Sequence, residues 1–215
     1  MRPVNKLKIN TYYGWAIITG SILMIITMAL HPAGGSISHI LQYALFIKGT
    51  HALAIFSIPV LVYGFYGFTV YLKRHSPIAV PAFIIFSFGM IAAVFAAALN
   101  GIVLPIFLKR MNEIAESKNL FTNTFITYNT TLNNVFDYIF IACTCLSSFG
   151  WSASVVITGK LPKWLGYSGL ALSITVTLLF IFGLNLISLT GFSILIFCYA
   201  IWTIAAGTML LRRKP

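Results

Sequence analysis

Six stretches of this chain run on with almost no charged side chain, each long enough to cross a lipid bilayer, and this leaves few folds open. A helix rises about 1.5 Å per residue, so about 20 apolar residues span a hydrocarbon core of about 30 Å. The runs lie at roughly 13–31, 51–72, 79–108, 133–158, 164–185 and 189–211. In hydrocarbon each backbone amide must find its partner within its own segment, so spans of this length are helical. The expected class is all-α: a polytopic transmembrane bundle of six spans, forming one transmembrane domain over 1–215. Composition agrees, because 59% hydrophobic and 8% charged residues cannot cover a water-facing surface. The last two runs are separated only by Asn185 to Ser188, but 164–211 is more than twice one crossing, which predicts a tight helical hairpin.

The net charge of +11 is a topology signal before it is a binding signal. Arg2, Lys6, Lys8, Lys73, Arg74, Lys160, Lys163, Arg212, Arg213 and Lys214 fall on one side of the predicted bundle. Only Lys48, Lys109, Arg110 and Lys118 fall on the other. Basic residues accumulate in cytoplasmic loops, so both termini are expected in the cytoplasm and no nucleic-acid partner is called for. Tyr12, Tyr13, Trp15, Tyr71, Trp164 and Tyr167 flank spans on that same side, as interfacial aromatic residues do. The first span is read as uncleaved, because Pro32 spoils the cleavage site that would follow it. No internal repeat is visible.

Two outer loops are predicted, 32–50 and 109–132. In the first, His31-Pro32-Ala33-Gly34-Gly35 ends a helix, and Ser36 then caps a short interfacial helix with Ile37, Ile40, Leu41, Ala44 and Leu45 on one face. The second carries Glu113 and Glu116 and then an Asn- and Thr-rich tail, expected to form a polar cap, with Asn129-Thr130-Thr131 matching a glycosylation acceptor. Lipid offers no hydrophobic drive between helices, so small residues must allow close approach. Gly89, Ala93, Ala97 and Gly101 recur at a four-residue interval and form the expected packing groove of the third span. The third, fourth and fifth spans, all rich in small residues, are expected at the centre. Pro105 predicts a kink or an interfacial last turn in the long third run. Cys143, Cys145 and Cys198 lie inside apolar runs and read as packing residues.

Ionisable groups at membrane depth are the natural place to look for function. Asp137 is the one acidic residue inside a span, and His31, His39 and His51 share its outer side. These four form the candidate metal or ligand site. Three imidazoles and a carboxylate suit zinc or iron, and His31 with His51 could face each other across a haem; none of these cofactors is firmly indicated, and no catalytic residue is assigned. Asn100, Asn185, Asp137, Pro59, Gly64 and Gly67 furnish the polar and helix-breaking positions that a transporter uses.

The turn Lys160-Leu161-Pro162-Lys163-Trp164-Leu165-Gly166, with the six-span plan, resembles uncharacterised bacterial six-helix membrane protein families in which a Leu-Pro-x-Trp-Leu-Gly turn begins the fifth helix. The resemblance implies a bacterial inner-membrane location and carries over no catalytic residue. Three readings follow: a non-enzymatic membrane subunit or small-molecule binder acting at its outer face, a metal-dependent membrane enzyme using the His/Asp group, and a small-molecule transporter. The partners expected are membrane lipids, with a second copy or another membrane protein as the macromolecular candidate.

Overall fold

A computed structural model describes the backbone over residues 6–31, 36–113 and 118–212, and the side chains of these except at 6–10 and 112–120. Pro32-Ala33-Gly34-Gly35 of the expected turn, the two glutamate side chains and the outermost basic residues of both termini lie outside the described set.

The elements in order are α1 (Lys6–Ala29), α2 (Ile37–Gln42), α3 (Ala44–Lys73), α4 (Ala79–Ala98), a π-helical turn (Leu99–Val103), α5 (Leu104–Glu113), α6 (Lys118–Thr158), α7 (Lys163–Ile181) and α8 (Leu189–Leu211). Among the described residues six helices are long and apolar enough to cross a membrane, with α4, the π turn and α5 combining into one of them. The chain is a multi-pass membrane protein. Its outer surface fits that environment: Phe56, Phe88, Ile91, Ile157 and Ile201 are all more than half exposed, a patchwork that lipid covers and water would not.

Local chemistry explains the helix ends. Ser36 caps α2 by accepting from the His39 amide at 3.3 Å, as its place in the sequence predicts. Ser188 caps α8 through the Gly191 amide at 3.1 Å, and Gly183, with φ +74°, allows the chain to leave α7. The long third span is interrupted once towards its C-terminal end. The irregularity falls just before the proline, as the π turn Leu99–Val103, because Pro105 supplies no amide hydrogen to the ladder behind it.

The largest departure from expectation is α6. The segment 109–132 was expected to be a loop, but from Lys118 onward it is the first part of a 41-residue helix. No Gly or Pro occurs between Lys118 and Phe149, so nothing stops the helix once begun. Its polar side chains also serve the helix, with Thr127 and Thr131 donating to the carbonyls of Asn123 and Thr127 at 2.9 and 2.8 Å. Asn129, at 2% exposure, is buried in this extension and unavailable as a sugar acceptor. Likewise the second span begins at Ala44, inside the expected first loop.

The helices form a ring in which α1 lies between α8 and α3, α4 joins α3 to α6, and α7 links α6 back to α8. α4 and α6 make the most extensive pair, in keeping with their small residues; a Cβ on Gly89 would lie 2.7 Å from the Cβ of Cys143. The fifth span, expected at the centre, is peripheral: α7 buries only Leu165, Gly166, Gly169, Ser173 and Val176. One end of the ring carries Gly14 against Leu211, Tyr71 donating to the Lys160 carbonyl at 3.1 Å, and Ser76 bonded to Ser154 at 2.9 Å. Between the two ends an aromatic cluster fills the axis. Phe65 stacks on Trp151 with centroids 4.6 Å apart, Phe86 and Phe68 flank the indole, and Trp151 Nε1 donates to Thr69 Oγ1 at 3.0 Å.

Candidate functional site

Above that aromatic plug, at the end of the ring away from Gly14 and Leu211, the helices part around a cavity of about 290 Å³. Each wall is a stripe at helical spacing: Met24, Thr27, Met28 and His31 from α1 and its end; His51, Ala54, Ser57, Ile58 and Leu61 from α3; Met90, Ala93, Ala97 and Asn100 from α4 and the π turn; Asn133, Asp137 and Phe140 from α6; Leu189, Phe192 and Ile196 from α8. α7 contributes no side chain to the wall.

Three of the four expected site residues, His31, His51 and Asp137, line this one space. His51 is 7% exposed and its Nδ1 lies 2.8 Å from the Ile47 carbonyl. A carbonyl can only accept, so Nδ1 carries the proton and Nε2 is left as the acceptor. The imidazole fits because residue 101 is glycine: a Cβ there would overlap the ring. His31 packs on the same ring, with centroids 5.0 Å apart and planes at 60°. Asp137 accepts from Asn133 Nδ2 at 2.7 Å, one turn earlier on α6. The fourth expected residue, His39, points elsewhere, its ring 4.7 Å from that of Tyr43 and its Nδ1 buried without a hydrogen-bond partner.

The described positions do not bring the four candidate residues together as one set, because His39 stands apart from the cavity. Among the described residues, no three His, Cys, Asp or Glu side chains come together closely enough to hold an ion. Nor do His31 and His51 stand on either side of a gap: two imidazoles on one iron need about 2 Å between metal and each nitrogen, with the macrocycle between them. Here the rings touch.

The four-residue groove of the third span has a divided role. Gly89 and Gly101 at its ends are packed against α6 and α3, whereas Ala93 and Ala97 between them form cavity wall. Asn100, carried inward on the π turn, accepts from Asn129 Nδ2 at 2.9 Å and so fastens the α6 extension over this end of the site. Sequence reading missed Thr27, Ser57, Met24, Met28 and Met90. The signal for them was register: Thr27 lies one turn before His31, and Ser57 lies on the face of α3 set by His51 and Ala54.

No family model, curated protein or solved structure matches the chain.

Proposed function

We propose that this is a non-enzymatic, multi-pass membrane protein that binds a small amphiphilic molecule in the cavity between α1, α3, α4, α6 and α8, from the non-cytoplasmic side. The observation that carries this reading is the composition of one wall. His31, His51, Asn100, Asn133 and Asp137, with Thr27, Ser57 and Asn134, converge on a space whose remaining surface is methionine, alanine, leucine, isoleucine and phenylalanine. Ligand sites are concave and mainly apolar with a few converging polar groups, and about 290 Å³ stands at the small end of their usual range of about 300–1,000 Å³. The orientation is supported by Lys73, Arg74, Lys160, Lys163 and Arg212, which gather at the opposite end.

Native mass spectrometry of the protein released gently from its own membrane tests the reading. A bound small species is expected on the wild type and is lost from Ala93→Phe, which fills the cavity. Wild type and variant spectra that are alike would overturn it. Transport is the second reading, favoured by the irregular backbone of the π turn after α4 and by a proline, Pro59, inside the cavity-lining helix α3. It requires flux of that species into liposomes that Asp137→Asn abolishes.

A further inference from the structure

The hydrogen-bond accounting of the wall selects a class of ligand, and this deepens the binding reading just given and rests on it. Thr27 gives its hydroxyl hydrogen to the Leu23 carbonyl at 2.9 Å, and Ser57 gives its own to the Ala54 carbonyl at 2.7 Å. His51 spends its Nδ1 hydrogen on Ile47, and Asn133 spends one amide hydrogen on Asp137. What these four groups and Asp137 still present is therefore mainly acceptor capacity: two hydroxyl oxygens, an imidazole nitrogen, an amide oxygen and a carboxylate, against one remaining amide hydrogen on Asn133. The amides of Asn100 and Asn134 supply donors, but among the described residues no Lys or Arg lines the cavity and Asp137 is the one carboxylate on the wall. A carboxylate at membrane depth calls for a partner of opposite charge. Asn133 offers it a neutral hydrogen bond only.

We infer that the cavity binds a primary ammonium carried on a short apolar body, with the ammonium on Asp137 and the body against Met24, Leu61, Met90 and Ile196. An ammonium brings three donors and a positive charge, opposite in sign to Asp137 and able to engage several of the unspent acceptors at once. The space accommodates on the order of ten water-sized groups at about 30 Å³ each, which sets the size of the body.

The test uses the full chain in nanodiscs of zwitterionic lipid, with empty nanodiscs subtracted, and three radiolabelled probes of equal length: hexylammonium, hexanol and hexanoate. Hexylammonium is expected to bind at least about tenfold more tightly than the other two, and Asp137→Asn to reduce it to the level of hexanol. Hexanol binding as well as hexylammonium, with both displaced by Ala93→Phe, would overturn the ammonium inference while leaving a binding cavity. Preference for hexanoate would overturn it as well. Absence of all three from the wild type would overturn this inference, and identical native mass spectra of wild type and Ala93→Phe would remove the binding reading beneath it. If Asp137→Asn does not fold, the order of the three probes on the wild type decides.

Discussion

A methyl group on residue 101 would overlap the His51 imidazole, so the position of that ring depends on a hydrogen atom at its neighbour. Gly101→Ala is expected to lower stability by about 1–3 kcal/mol, the usual cost of overpacking, and to push His51 from the Ile47 carbonyl. Adding His51→Ala should recover much of the loss, and additive losses in thermal unfolding would contradict the contact. Asn129→Ala leaves the Asn100 amide oxygen without its donor; a loss of about 0.6–1.5 kcal/mol is expected, whereas Thr130→Ala, on the exposed side, should cost little. His31, His51 and Asp137 could be picked out from sequence because an ionisable group in an apolar run has no ordinary reason to be there. Thr27 and Ser57 could not, since Ser and Thr occur throughout the spans and commonly bond back to their own helix, as Ser21 and Ser173 do. His39 looked equivalent to its neighbours in sequence, and only the turn into α3 at Tyr43 sets it apart.

At the scale of elements, α6 makes the sharpest prediction. If residues 121–134 continue the helix, their amides will exchange with solvent slowly and show the protection of an ordered segment; exchange at the rate of a free loop would contradict the 41-residue helix. Hydropathy found the apolar part of this element and misjudged the rest, because Asn and Thr are read as loop formers by composition. Their effect depends on whether a Gly or Pro accompanies them, and here neither does. The third span shows the converse. Pro105 marked an irregularity correctly in the sequence, but its form, a π turn that swings Asn100 into the wall, depends on packing against His51 and Asn129 that no local pattern encodes. The peripheral place of α7 was likewise hidden: its Gly166 and Gly169 resemble those of a central helix, yet they serve one-sided contacts with Ser152, Val156 and Trp202.

For the whole molecule, orientation and access can be checked together by single cysteines in a background lacking Cys143, Cys145 and Cys198. Ser38→Cys and Ala97→Cys are expected to react with an impermeant thiol reagent from the non-cytoplasmic side, and His75→Cys from the cytoplasmic side. Ile91→Cys, on the lipid face, should react from neither; labelling of Ala97→Cys from the His75 side would invert the topology. The closure of the ring has a further consequence. α1 packs on α8 as a sequence neighbour would, with Gly14 against Leu211, and the turn at Gly159, where φ is +59° and no side chain would meet an obstacle, lies at the same end. The order in which the chain visits the six positions is then incidental to the cavity. A circular permutant joining the ends by a short linker and opening at Gly159 keeps every wall of the site and the same number of crossings.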